Sequence, residues 1–182
     1  MSPVMDWDEL NILRKNAQDF FSRGGQRKKK DLDRFCDYMD WIFCLIYAYG
    51  WKDAEEIVGI VPFEDGLDDK AVNHKIDGKT FRDRITEETT PEEILRIIDT
   101  EAHRDYNTAV YDAAVASGKS VSKRWNTMLD NRVRDQHFYM EGMTVGLNDE
   151  FYTYGGEHTM FPGGFGVPEL DCNCRCYVTL IA

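Results

Sequence analysis

Three cysteines stand at strict two-residue spacing near the C-terminus, Cys172, Cys174 and Cys176, inside the stretch DCNCRCYVTLI from Asp171 to Ile181. Upstream, RWNTMLDNRVRDQHFYMEG from Arg124 to Gly142 gathers Trp125, Asp130, Arg132, Arg134, Asp135 and His137 into one short span. On an extended strand, residues two apart face the same side. The three thiols would then line one face and meet a shared partner, with Asp135 and His137 the candidates. Thiolates beside an imidazole suit zinc, and His137, Cys172, Cys174 and Cys176 would make a ligand set, with Asp135 or Asp171 as a weaker oxygen donor. The spacing runs against this, because structural zinc pairs are usually separated by about two to four residues. It favours thiols that face the core and bind no ion. An enzyme could instead use Asp135, His137 and a thiol as acid, base and nucleophile, or His137 with Arg132 and Arg134 on a phosphodiester. No phosphate-cradling glycine loop accompanies them. Arg132, Arg134 and Asp135 serve equally as a charge network holding the turn to the terminal strand.

Bulk properties narrow the field. A formal charge of -11 argues against attraction to a phosphate backbone over the whole surface. The single basic run, RGGQRKKK, offers Arg27, Lys28, Lys29 and Lys30 for at most weak nucleic-acid contact and reads as a solvated linker or helix start. Asp6, Asp8 and Glu9 interrupt any leader-like segment, and the apolar run from Trp41 to Trp51 is too short to span a bilayer, so a cytosolic chain is expected. Five cysteines cannot all pair within one chain. Cys36 and Cys44 read as small buried thiols in an apolar helix.

The elements that must position these residues follow from periodicity. Apolar residues at three- and four-residue spacing predict a helix from Trp7 to Phe21, stopped by Gly24 and Gly25. A second, apolar helix is expected from Asp31 to Tyr49 with Gly50 at its C-terminus, then a short one from Asp53 to Val58. Another short helix is expected around Thr80 to Ile85, after a loop that carries His74 as a surface residue. Thr90, Pro91 and Glu93 form a helix start with a capping box, and Gly118 ends that helix. Ile94, Ile98, Ala102, Ala109 and Ala113 give it a narrow apolar face, Glu101, Arg104, Asp105 and Asn107 a polar one, and His103 borders the two. Glu101 is expected to pair only poorly with Arg104, the neighbour of Asp105, because adjacent side chains diverge. Beyond Gly118 a strand is expected from Lys123 to Leu129, with Trp125, Thr127 and Leu129 on one side. A turn follows in which Asp130 caps the helical turn of Arg134 to Met140. Extended pieces from Met143 to Val145 and Asp149 to Tyr154, a glycine and proline loop, and a closing strand from Cys174 to Leu180 complete the chain. The expected class is α+β: a helical bundle of about four helices over residues 1–118, then a small β-containing module over residues 119–182 closed by the C-terminal strand.

The order KRWNTMLDNRVRDQHFYMEGMTV, NDEFY, a proline and glycine loop, then NCRC resembles the C-terminal region of phage head morphogenesis proteins, the Mu F-like minor head proteins. TEAHRDYNTAVYDAAVASG, from Thr100 to Gly118, resembles the helix that precedes that region. The likeness covers Thr80 to Ala182, and the family pattern falls on Trp125, Asp130, Arg132, Arg134, His137, Gly142, Phe151, Pro162, Gly163, Asn173, Cys174, Arg175 and Cys176. It implies a minor structural protein of a tailed phage or prophage that contacts portal or capsid, in the host cytoplasm during assembly and then in the virion head, with no catalytic residues. Some relatives carry a CxxC pair and a His-Pro before NCRC, which looks like a zinc site; Arg134, His137 and Asp171-Cys172 stand there in this sequence, so no cofactor is expected. Longer relatives have a larger N-terminal helical region or an appended toxin domain, and neither is expected here. Two alternatives stay open: a small phage-encoded enzyme or toxin-like nuclease using His137 with Arg132 and Arg134, and a zinc-stabilised nucleic-acid-binding module.

Overall fold

A computed structural model describes residues 8–22, 29–63, 73–87 and 90–182. Arg27, Lys28, Gly24, Gly25 and the start of the first helix at Trp7 lie outside the described residues, whereas Lys29 and Lys30 open the second helix. Four helices come first: α1 (Asp8–Ser22), α2 (Lys29–Val58), α3 (Phe81–Glu87) and α4 (Pro91–Ala116). Then follow β1 (Ser122–Asn126), α5 (Asp135–Tyr139), β2 (Thr144–Gly146), β3 (Phe151–Tyr152), β4 (His158–Thr159), α6 (Pro168–Asp171) and β5 (Tyr177–Ile181). The expected α+β order, helices first and a small sheet module closed by its last strand, is the order observed. No helix among the described residues is long and apolar enough to cross a membrane.

Gly50 does not end the second helix. α2 runs on to Val58 and absorbs the separate helix expected from Asp53. The reason is tertiary: a Cβ at position 50 would come within 2.5 Å of the Tyr106 carbonyl oxygen and 3.0 Å of the Ala109 Cβ. The glycine lets α2 and α4 cross at close range, and that packing outweighs the cost of glycine within a helix. Termination falls to Gly59, at φ 78°, whose N–H bonds to the Glu55 carbonyl.

α4 starts as the sequence predicts. Thr90 Oγ1 accepts from the Glu93 N–H, and the Glu93 carboxylate accepts from the Thr90 N–H at 3.1 Å. Its middle differs from expectation. Every residue from Thr100 to Val110 is buried, so Glu101, Arg104, Asp105 and Asn107 are not a water-facing surface. α1, α2 and α3 pack on it from the helical side and β5 from the other.

The sheet runs β2-β1-β5, all antiparallel, with Trp125 opposite Val178 and Lys123 opposite Leu180. β3 and β4 form a separate hairpin. A single core joins the halves, running from Phe43 and Ile46 of α2 through Ile98 of α4 to Trp125 and Val178. The strand expected to reach Leu129 stops at Asn126. Thr127 is still buried, but Leu129 is exposed at φ 53°, because the chain is already turning there. β5 likewise starts at Tyr177 rather than Cys174, since α6 and a left-handed Asn173 (φ 56°) interrupt the extended run. On the side away from β1, Asn107 of α4 closes β5: it donates to the Cys176 carbonyl at 3.2 Å and accepts from the Val178 N–H at 2.9 Å. A side-chain amide thereby stands in for a neighbouring strand at an open edge.

Candidate functional site

Two polar clamps hold α5 against the segment that leads into β5. The first is Asp130. It accepts from the Arg132 N–H at 3.0 Å within its own turn and takes both terminal nitrogens of Arg175, at 2.8 and 2.6 Å. It does not cap α5, whose N-cap is Arg134 with no side-chain cap, because its carboxylate is committed to Arg175. The fork-to-fork pair holds the Asp130 carboxyl well below the usual carboxylate range, chiefly through the Arg175 hydrogen bonds. The second clamp is Arg134, whose guanidinium donates to the Cys172 carbonyl. Arg132 is exposed and only 3.6 Å from Asp130, and Asp135 is exposed, so neither joins the interior. The network between turn and terminal segment exists, but Asp130, Arg134 and Arg175 make it. Gly142, at φ 73°, returns the chain to the sheet by donating its N–H to the Trp125 carbonyl.

Between the clamps lie His137, Cys174 and Cys176, each almost fully buried. His137 Nδ1 is 3.6 Å from Cys174 Sγ and 3.5 Å from Cys176 Sγ. The imidazole stacks on Phe165 at 5.8 Å between centroids and meets Trp125 edge-on at 5.6 Å. Its Nε2 has no hydrogen-bond partner among the described residues. A hydrogen bond from the Cys176 thiol, with His137 beside it, pulls Cys174 well below the usual thiol range despite burial, while Cys176 is pushed up. One proton shared by the pair accounts for both directions. The Trp125 indole N–H has no hydrogen-bond partner among the described residues but favours the ionised form of Cys176.

The donor atoms of His137, Cys174 and Cys176 lie within 4.8 Å of one another, and Cys172 is not in that group. It caps α6, half-buried, with its carbonyl turned to Arg134. The α6 turn and Asn173 break the alternation that would have put three thiols on one face. Asp171 is not a ligand either: it accepts from the Phe165 N–H at 3.1 Å and the Gly166 N–H at 2.6 Å. Burial nevertheless pushes its carboxyl up to about 6. Beside the three donors is a cavity of about 10 Å³, also lined by Met128, Arg134 and Asn173. That is room for about one water or ion and too little for a phosphodiester. None of the five cysteines is in a disulfide.

Sequence reasoning missed a second cluster on α4. Glu101, fully buried, receives the Arg84 guanidinium from α3, Arg104 Nε at 3.1 Å, and His74 Nδ1 at 3.6 Å, an ion-pair distance rather than a hydrogen bond. His74 is therefore half-buried against a carboxylate and not a surface residue. Arg104 also binds the adjacent Asp105 at 2.7 Å, a neighbour pairing that helix geometry alone does not favour. Burial would raise Glu101, but His74, Arg104 and Arg84 reverse that and hold it at about 2. For Asp105 burial outweighs Arg104 and pushes the carboxyl up to about 7; its Oδ2 has no hydrogen-bond partner among the described residues. Burial also lowers His103. On the core side of β1, Lys123 lies between the Tyr111 and Phe151 rings, and burial pushes its ammonium down to about 8.

A pH signature follows. Asp105 has a higher pKa folded than unfolded, so the native state holds the extra proton and the Asp105 contribution falls as pH rises from about 4 to about 7. Asp171 acts in the same direction up to about pH 6. His103, lowered by burial, acts oppositely as pH rises towards its unfolded value, and Glu101 contributes stability that is lost only in acid, towards about pH 2. The Asp105 part is therefore isolated by comparison with Asp105→Asn. Urea unfolding at pH 4.5 and 7.5 should show the stability difference moving in the variant's favour by on the order of 3 kcal/mol. A difference that stays constant across that range would refute a protonated Asp105.

With this geometry in view, the profile of the family described as Phage Mu protein F like protein matches residues 69–179, more than half of the chain. An NAD(+)--arginine ADP-ribosyltransferase EFV of Enterococcus faecalis is 32% identical over 126 residues, which is 63% of this chain and 26% of that protein. Minor head protein GP7 of Bacillus phage SPP1 is 32% identical over 79 residues, 42% of this chain and 26% of that protein. The chain thus spans about a quarter of the length of each of these curated relatives. No solved structure matches it.

Proposed function

Because the chain belongs to the Phage Mu protein F like family, we propose that it is a minor head protein of a tailed phage or prophage, working by protein–protein contact with portal or capsid. The observation that carries this reading is the family match, which takes in α3, α4 and the sheet module as far as Thr179 in β5. One relative is named a minor head protein and another an ADP-ribosyltransferase, and each is matched over only a quarter of its length. A segment common to two proteins so differently named is better read as a shared module than as the seat of an activity. The enclosed His137 cluster, with space for about one water beside it, supports contact over turnover.

In this reading residues 1–118 supply the docking region, and residues 119–182 form the module that the terminal strand closes. The helical half leaves Trp41, Ile57, Ile60 and Phe63 exposed, side chains suited to an interface core. The charge of -11 favours a basic patch on the partner and disfavours nucleic acid. The protein would meet its partner in the host cytoplasm and remain in the virion head. Coexpression with the portal and major capsid proteins of the same phage tests the proposal. Co-elution with either through affinity and sizing steps is the expected result; elution of the folded protein alone in both cases would overturn it.

A further inference from the structure

We propose that His137, Cys174 and Cys176 hold one zinc ion, a three-ligand centre with solvent in the fourth position that fastens α5 to the segment leading into β5. The first argument is metric. A tetrahedral zinc with Zn–N of about 2.0 Å and Zn–S of about 2.3 Å places its nitrogen and sulfur ligands about 3.6 Å apart. The two Nδ1 to Sγ separations are 3.6 and 3.5 Å. The third separation, between the sulfurs, is within the same 4.8 Å group.

The second argument is valence. Nδ1 of a neutral imidazole has a single lone pair, so it can accept a hydrogen bond from one thiol and not from two. Without a metal one sulfur must turn to the other, as Cys176 does in donating to Cys174, whereas a cation at the centre of the triangle engages all three donors directly. The third is charge. Two thiolates and a neutral imidazole around Zn²⁺ sum to zero, so the centre can sit in a fully buried position without an uncompensated charge. Mixed sulfur and imidazole ligation suits zinc over calcium or magnesium, which take oxygen donors.

The surroundings provide the rest. Phe165 stacking and the Trp125 edge fix the imidazole plane, while the Asp130–Arg175 and Arg134–Cys172 clamps fix the two backbone segments. The donors are held in place before any ion arrives. The cavity of about 10 Å³ on the same side accommodates the fourth, solvent ligand. His103 of α4 comes within electrostatic range of Cys174, and its Nε2 has no hydrogen-bond partner among the described residues. It lies outside the 4.8 Å group and is not assigned as a ligand. The three thiols are not equivalent: Cys174 and Cys176 share the centre with His137, and Cys172 stands outside it.

The test uses the full chain, purified without chelator, loaded with zinc alone and freed of excess ion. About one equivalent of zinc per chain is expected in the wild type and in Cys172→Ser, and less than about 0.2 in Cys174→Ser and Cys176→Ser. Chelation of the wild type should lower its Tm by about 5 °C or more. Should the serine variants fail to fold, cobalt(II) substitution of the wild type decides, since two thiolate ligands give a sulfur-to-metal absorption band and a tetrahedral visible spectrum. Folded wild-type protein that takes up less than about 0.2 equivalents, cobalt protein without the thiolate band, or loss of metal on Cys172→Ser to the same extent as on Cys174→Ser would each overturn the proposal. This centre is independent of the head-assembly reading.

Discussion

Glu101→Ala is expected to cost on the order of 3–5 kcal/mol of folding stability, read as a lowered urea midpoint at unchanged slope. The carboxylate has no exposed surface and answers two guanidinium groups, Arg84 at 12% side-chain exposure and Arg104 at 5%. Removing it leaves Arg84 in the interior with the carboxylate that answers it gone, and leaves Arg104 with Asp105 alone, at 2.7 Å. The large term is the stranded cation and not the lost attraction. The double variant Glu101→Leu with Arg84→Leu should therefore lose less than the sum of its parts, because it withdraws one charge of each sign. A loss under about 1 kcal/mol for Glu101→Ala would show that the arginines find water once the carboxylate is gone.

Asn107→Ala should rank close behind, at about 3 kcal/mol, for a different reason. The amide satisfies the Cys176 carbonyl and the Val178 N–H on the side of β5 that faces α4, and both would be left buried without a partner, at roughly 1–3 kcal/mol each before relaxation. Asn107→Asp keeps an acceptor for the Val178 N–H and, once protonated at low pH, can donate its O–H to the Cys176 carbonyl, so it should fall between wild type and alanine there. Amide exchange at Val178 provides the specific readout. Its protection should drop in Asn107→Ala by more than that of the other β5 amides. Unaltered relative protection would mean that Asn107 matters only as packing volume.

Much of this architecture was legible in the sequence because local signals agreed with one another. Thr90, Pro91 and Glu93 mark a helix start by chemistry confined to four residues, and the structure builds that capping box. Gly118 at φ 63° ends the same helix where expected. The convergence of His137 with Cys174 and Cys176 was visible in residue type and spacing. What the sequence concealed depends on partners remote in the chain. Gly50 looks like a helix stop until Tyr106 and Ala109 are seen against it. Glu101, Arg104 and Asp105 look like a solvated face because periodicity counts only the residues of one helix, whereas their solvent is replaced by Arg84 of α3 and by His74. Asn107 carries no local signal at all: its role exists only once β5 lies beside it. Cys172 was grouped with its neighbours on the assumption of an unbroken strand, and one left-handed residue, Asn173, removes it.

The full burial of the middle of α4 also fixes an order of events. A ribosome finishes α4 well before it reaches β5, and during that interval Asn107 and the flank around it have no strand to bind. The nascent helix must carry buried-type polar groups in water until Val178 arrives from a segment made last. The bundle can form early through α2 and the Gly50 crossing, but full protection waits on the closing strand. A pause in translation between β1 and β5 would lengthen the interval in which this flank of α4 stands without the strand that covers it.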